Sequence, residues 1–416
     1  MITSLKFNNC FAFNKPVEMS LKADMRTKKF SSNMFNKDAN THILKSAVIY
    51  GPNNTGKTAF ISCVKAIRET LLNKKINLKS NIFNKSNICE LGISFIGLHS
   101  KHYSYEFKYD DAKKEYIYEK MNEIITDKYG NEKESLIFLK DTVNKKYDCP
   151  EDENLKNALQ LASKSNILIY ILESEEFKIL HSISIILSSI ARNIEIVDMN
   201  NIPNQKTIDI LKSGDTKKNK IIEFIKNADM YLENIYLEDN IAYDDSVGEL
   251  PIEEGRRINA EDLKLKSVYK GVKVPSVLFD SMGTKKIEAL ASYVIEALEV
   301  GRTLFVDELD SSLHFKITRA IISMFNNEIN KNAQLIATLH DISLLDCKRM
   351  FRKEQIWFTD KDDNETMLYS LKDFSYAENG VRETSDIQEK YSKGAFGAIP
   401  EPDLISTLLE VDDESD

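Results

Sequence analysis

The 416-residue sequence predicts an α/β fold: a phosphate-binding strand–loop–helix unit, an antiparallel β layer and an inserted helical domain. Three observations predict it. Gly51-Pro52-Asn53-Asn54-Thr55-Gly56-Lys57-Thr58 fits the phosphate-loop pattern G-x-x-x-x-G-K-[ST] at every fixed position. Residues 88–120 alternate apolar and polar side chains, as half-buried strands do. After residue 264, short apolar strands alternate with helical spacing, the pattern of a mainly parallel sheet covered by helices.

The elements follow in order. Ser4–Phe7 and Val17–Leu21 alternate as strands, and the polar, Asn-rich stretch 24–42 reads as a loop. Ala47–Tyr50 is a short buried strand feeding the phosphate loop, and Phe60, Val64, Ile67 and Leu71 recur at helical spacing after it. In such a unit the glycines let backbone N–H groups approach phosphate oxygens, and the helix N-terminus adds partial positive charge. Lys57 would reach the β- and γ-phosphates, and Thr58 would ligate Mg²⁺. Asp110-Asp111, between the alternating runs 102–109 and 115–118, marks a hairpin.

From about Pro150 to Leu237 the pattern is helical with few strand signals, and 238–257 is acidic and turn-rich. This stretch reads as an insertion closed by a solvated loop. Its Lys212, Lys217, Lys218 and Lys220 precede an amphipathic run at Ile221, Ile222, Ile225 and Tyr231. They read as a solvated loop before a packed helix, or as a docking patch for nucleic acid or an acidic partner. Val274–Phe279 is then a strand, Ile287–Leu298 a helix, Thr303–Val306 a strand, Leu313–Phe325 a helix and Leu335–Thr338 a strand. The expected organisation is an N-terminal lobe at 1–149, the insertion at 150–264, a C-terminal lobe at 265–400 and an acidic tail at 401–416.

Composition narrows the function classes. Hydrophobic residues make up 42%, enough for a sizeable core. A net charge of −9 argues against a generally basic nucleic-acid surface and leaves room for a local patch. Five scattered cysteines without a C-x-x-C pair point to reduced thiols in a cytoplasmic protein. The N-terminus lacks a signal-peptide layout. The most apolar region, 167–196, is interrupted by charged residues, so no membrane partner is expected.

Thr303–Val306 runs into Asp307 and Glu308, the form of a Walker B strand. Asp307 would belong to the Mg²⁺ shell, and Glu308 would polarise the attacking water as general base. Asp310 follows in Leu309–His314. His340, just past the next strand, lies on the edge where open α/β sheets bind ligands.

Taken together, Gly51–Thr58, Thr303–Glu308, Asp310 and His340 resemble the ATP-binding-cassette head ATPases, which include chromosome-maintenance and double-strand-repair heads. The resemblance implies a cassette-type P-loop NTPase head that binds ATP and Mg²⁺, with Asp310 as the D-loop and His340 as the switch histidine. Ser281, Gly283 and Thr284 occupy the place of the family's signature. There a serine and a helix N-terminus bind the γ-phosphate of ATP held by a second subunit; a simple helix N-cap explains the same residues. The Ser-x-Gly-Thr-Lys form and Tyr391–Pro400 are similar to the prokaryotic AAA15-type ATPases of anti-phage defence and abortive infection. The implied role is a nucleotide-gated homodimer or higher oligomer that regulates an effector protein encoded elsewhere. The alternatives are a DNA-clamping repair or chromosome-maintenance ATPase, and a scaffold that barely hydrolyses. No glutamine fills the family's Q-loop position by pattern; Gln160 is a candidate but sits in a helical run. Phe11 and Phe13 are candidates for stacking on the base, and strand packing also explains them.

Overall fold

The computed structural model describes residues 1–25, 27, 29–36, 41–72, 76–97, 100–127, 130–161, 167–169, 181–213, 216–238, 252–253, 256–257, 262–374 and 385–399. The chain opens with β1 (Ile2–Asn8) and β2 (Val17–Ser20), then the small hairpin β3 (Met34–Asn36) and β4 (His42–Leu44). Next come β5 (Ser46–Tyr50) and α1 (Lys57–Leu71), the expected strand–loop–helix unit. Five strands follow: β6 (Ile88–Ile96), β7 (His102–Asp110), β8 (Glu115–Thr126), β9 (Glu132–Asp141) and β10 (Lys146–Asp148). They join β1 and β2 in a seven-stranded antiparallel sheet of order β10-β9-β8-β7-β6-β1-β2. The β7–β8 turn falls at Asp110-Asp111, and Asp110 Oδ1 accepts from the amides of Ala112 and Lys113.

The stretch read as a helical insertion holds α2 (Glu153–Leu161), α3 (His181–Asn193), β11 (Ile194–Asp198), α4 (Gln205–Ser213), α5 (Lys218–Ala228) and β12 (Asn234–Leu237). The helices match the pattern, but β11 does not. It pairs in parallel with β17 (Thr303–Asp307) and forms one edge of a six-stranded sheet. Helix α3 buries Ile183, Leu187, Ile190 and Ala191 in the same core as α1. Residues 181–198 are therefore part of the core built around β5, α1 and β17. The strand escaped detection because it follows α3 without a breaker and is only five residues long. Most of the acidic loop, beyond the short pairing of β13 (Ile252–Glu253) with β14 (Arg256–Arg257), lies outside the described residues, as does the acidic tail.

Next come β15 (Leu265–Tyr269), β16 (Val272–Pro275), α6 (Ser276–Phe279) and α7 (Met282–Val300). The strand expected over Val274–Phe279 is thus split. Pro275 has no N–H for a ladder, and it stands at the N-cap of α6 with φ −63°. After β17 the chain runs through α8 (Phe315–Asn326), β18 (Gln334–Thr338), β19 (Ile356–Asp362), β20 (Glu365–Ser370) and α9 (Ile387–Ser392).

The six-stranded sheet has the order β11-β17-β18-β5-β19-β20, parallel except for β20. Both its faces are covered, which is why its strands read as continuous apolar runs. Ala47, Ile49, Phe305 and Ile336 face α1, α3 and the antiparallel sheet. Val48, Tyr50, Leu304, Val306 and Leu335 face α7 and α8. A smaller core joins α4, α5, β12 and β15 to α7 through Leu211, Ile221, Ile225, Ile235, Leu265, Ile287 and Ile295. All five cysteines are buried as free thiols. Among the described residues no helix is long and apolar enough to cross a membrane.

Candidate functional site

The C-terminal ends of β5, β17 and β18 meet at one edge of the sheet, and the site is built there. Gly51 leaves β5 where a Cβ would collide with the carbonyl and hydroxyl oxygens of Thr359. Gly56 has φ 105°, and a Cβ there would lie 2.9 Å from Thr366 Cγ2. Both positions need the missing side chain: one for close approach, the other also for its left-handed backbone. Thr55 Oγ1 donates to Pro52 O (2.8 Å) and bonds Thr359 Oγ1 (2.9 Å), tying the loop to β19. Pro52 is half-buried, Asn53 and Asn54 are exposed at the tip, and Thr58 is exposed in the first turn of α1.

Lys57 is 6% exposed, and its ammonium donates to Gly51 O (2.6 Å) and Pro52 O (2.9 Å). Burial pushes its pKa down, opposed by the nearby charges of Glu308, Asp307 and Asp310. The lysine thus waits folded onto its own loop, among carboxylates, in a place where a phosphate would improve its solvation.

Asp307, 5% exposed at the end of β17, accepts from Thr338 Oγ1 through Oδ1 (2.6 Å). Thr338 Oγ1 in turn accepts from Glu308 N (2.7 Å), so one hydroxyl at the end of β18 fixes both acids. Glu308 has φ 55°, a left-handed backbone that turns its side chain out of the strand direction. Its Oε1 stands 3.7 Å from His340 Nε2, and the two side chains are 32% and 41% exposed. Asp310 Oδ2 accepts from the amides of His340 (2.7 Å) and Asp341 (2.5 Å), locking the loop after β17 to the loop after β18. Asp307, Glu308, Asp310 and His340 therefore converge beside Lys57, as their order along the sequence implied.

Ser281, Gly283 and Thr284 stand at the N-terminus of α7. Ser281 N-caps α7, accepting from Thr284 N (3.1 Å), while Thr284 Oγ1 donates to Asp229 Oδ2 (2.8 Å). A Cβ on Gly283 would meet Ser312 O at 2.8 Å, so the first turn of α7 packs on the loop that follows Glu308. Among the described residues no hydrogen bond joins this trio to the phosphate loop.

Sequence reasoning missed Asn200. It follows β11, the unexpected edge strand, and its Nδ2 donates to Glu308 Oε2 (2.9 Å). Gln160 is exposed on α2 instead. Nothing local marks Asn200; only the pairing of β11 with β17 brings it to the acid. Phe13 is fully buried against Phe7 and so is closed to a base, while Phe11 is half-buried. Tyr391–Ile399 folds onto β19 and β20: Tyr391 and Phe396 stack on Phe358, and Ala398 N donates to Asp360 Oδ2 (2.8 Å). It backs the strand that holds Thr55. Pro400 lies outside the described residues.

The residue types at this edge fit Mg²⁺ and a nucleotide's phosphates. Among the described residues no cluster of three acidic, His or Cys side chains forms a ready-made metal site. Mg²⁺ commonly takes one or two protein ligands and completes its shell with phosphate oxygens and water. Thr58, and the Asp307 oxygen not given to Thr338, match that demand.

The family model described as "AAA domain, putative AbiEii toxin, Type IV TA system" matches residues 46–346. Similar solved structures include an SMC head bound to the C-winged helix domain of ScpA, at 14% identity and TM-score 0.45, covering 89% of this chain and 97% of that one. The SMC head domain from Thermotoga maritima is 12% identical with TM-score 0.40, covering 89% and 98%. An SMC head with an extended coiled coil, bound to the C-terminal domain of ScpA from Pyrococcus furiosus, is 12% identical with TM-score 0.42, covering 89% and 96%. No curated protein matches the chain. The matched span runs from β5 past His340 and holds the phosphate loop, Asp307, Glu308 and Asp310, so the chain belongs to this AAA-domain family.

Proposed function

We propose that the protein hydrolyses ATP to ADP and phosphate and works as a nucleotide-gated dimeric switch that regulates a separately encoded effector in anti-phage defence. One observation carries the chemical part: Lys57, Asp307, Glu308 and His340 converge on one sheet edge beside a loop whose glycines leave room for phosphate. On ATP entry Lys57 exchanges the carbonyls of Gly51 and Pro52 for β- and γ-phosphate oxygens. Thr58 and Asp307 would hold Mg²⁺, which would supply charge neutralisation for those oxygens. Glu308 takes a proton from water as the water oxygen bonds to the γ-phosphorus. The bond to the bridging oxygen breaks, ADP leaves with the electron pair, and the proton passes to solvent. His340, 3.7 Å from Glu308 through Nε2, would contact the γ-phosphate in this reading.

The dimeric part is supported by the bonding of Ser281 and Thr284, which among the described residues go to each other and to Asp229 and not to the phosphate loop of the same chain. A second copy can present the α7 N-terminus to the bound nucleotide, where N–H groups and the helix end favour an anion. The family description, which names a putative AbiEii toxin of a type IV TA system, is the support for the defence role.

The test is phosphate release by the purified chain with ATP and Mg²⁺, alongside Lys57→Ala, with light scattering for mass. The expected result is turnover by the parent, loss of nucleotide binding in the variant, and a doubled mass for an ATP-loaded, hydrolysis-deficient protein. Equal phosphate release by Lys57→Ala and the parent would remove the assignment of this loop.

A further inference from the structure

We propose that Asn200 is a positioning residue for Glu308, and that it couples the general base to helix α7 through Ser311 and Lys286. The inference rests on the ATPase reading above and assigns a regulation to that site. Three hydrogen bonds stand in series. Lys286 Nζ, on the second turn of α7, donates to Ser311 Oγ (3.0 Å) and also to Ser312 Oγ (3.3 Å). Ser311 Oγ donates to Asn200 Oδ1 (3.1 Å). Asn200 Nδ2 donates to Glu308 Oε2 (2.9 Å).

The direction of this chain is fixed by chemistry. A lysine ammonium only donates, so the single proton of Ser311 is directed away from it, to Asn200. Having accepted through Oδ1, Asn200 can present only its NH₂ group to the carboxylate. The amide orientation thus follows from the network rather than from a choice between two flips. An aspartate at 200 cannot complete the series, because it has no N–H to give Glu308.

The chain also has a mechanical input. Lys286 is 8% exposed, so its ammonium is held rather than free in solvent. Gly283, one turn earlier, packs against Ser312 O, and Ser311 N donates to Glu308 O (2.8 Å). A shift of the α7 N-terminus therefore moves Ser311 and Ser312 both by contact and by hydrogen bond. That shift reaches Glu308 along its backbone and through Asn200. Loading of α7 by a second subunit's nucleotide would then set the carboxylate that activates water, so that the base is aligned only when the α7 N-terminus is engaged.

The test uses the full chain under steady-state turnover with ATP and Mg²⁺. Asn200→Ala should lower kcat on the order of 10- to 100-fold, the scale of an ångström-size misplacement, with KM for ATP changed less than twofold. Asn200→Asp should fall at least as far, and Asn200→Gln should recover part of the rate. Lys286→Met should lower kcat, and adding it to Asn200→Ala should cause no further loss, because both act through one series. Should Asn200→Ala fail to fold, Ser311→Ala breaks the same series and carries the same expectation. The proposal is overturned by a parental kcat in Asn200→Ala, by a rise in KM at constant kcat, or by losses that multiply in the double variant. A parent that releases no phosphate sinks the ATPase reading, and the positioning role with it; that result involves no variant and so is distinct from the others.

Discussion

Replacing Glu308 by Gln tests the catalytic assignment with little risk to the fold. The backbone at 308 is held by Thr338 Oγ1, which accepts from its amide at 2.7 Å, and by the turn bond from Ser311 N to its carbonyl. Neither bond involves the side chain. A glutamine oxygen can still accept from Asn200, so the change converts one charge-assisted bond to a neutral one at a side chain that is 32% exposed. The stability cost should be below about 1 kcal/mol. What is lost is the group that takes the proton. General-base catalysis contributes about 10²- to 10⁴-fold, equivalent to about 2.7–5.4 kcal/mol of activation free energy. The expected outcome is a kcat reduced by that factor, ATP binding unchanged by equilibrium titration, and a melting temperature within about 2 °C of the parent. A variant that binds ATP and turns it over within threefold of the parental rate would falsify the role of Glu308 as base.

Three further expectations concern the scaffold. Lys140→Met should destabilise the protein by about 3–5 kcal/mol in urea titration, because it leaves the fully buried Glu119 carboxylate without its cation; a loss under 1 kcal/mol would show that Tyr105 OH and Leu168 N, which also donate to Glu119, suffice alone. Glu288, on α7, is buried beside Asp280, and burial first, then hydrogen bonding and repulsion from Asp280, raise its pKa well above the ordinary value. Such a group favours folding below its unfolded pKa of about 4.3 and loses that contribution as pH rises toward the folded value, so Glu288→Gln should gain stability over the parent from pH 5 upward. A parental advantage at pH 7 would refute it. Burial, with help from Lys22, lowers His102 to about 4. The neutral ring beside Thr3 favours folding above about pH 6.5, and that contribution drains as pH falls toward 4, by on the order of 2–3 kcal/mol. The melting temperature of His102→Gln should therefore vary less than the parent's between pH 6.5 and 4, and parallel curves would count against it.

The residues that could be read from sequence are those whose chemistry is written locally. Gly51–Thr58 announces itself because the fixed glycines, lysine and threonine are contiguous, and Asp307-Glu308 because an apolar run ends in them. His340 was found by its place after a strand. Asn200 was hidden because its partner Glu308 is 108 residues away and β11 carries no turn signal at its start. The split of 272–279 into strand and helix turned on Pro275, which lacks the amide that a continuing ladder requires. Ser281 satisfies both the cap and the anion-binding pattern, since both ask for a small hydroxyl before a helix N-terminus. Here it caps α7, and the proposed second use would depend on another chain, which no single sequence displays.

The sheet order has a consequence for biosynthesis. β5 lies between β18 and β19, and the buried bond from Gln355 Nε2 to Ser46 O spans 309 residues. Ile2 N likewise donates to Gln334 Oε1 across 332 residues. On the ribosome, the strands of the antiparallel layer emerge early and can pair with their neighbours. β5 must wait, with both edges bare, until most of the chain has been made. Pairings of such long separation close slowly, and an unpaired apolar strand invites association with other chains meanwhile. The phosphate loop, whose Thr55 is moored to Thr359, acquires its anchored form only after β19 has been synthesised. A nascent chain arrested before residue 356 should therefore neither retain ATP nor resist proteolysis at β5, whatever the state of its β layer.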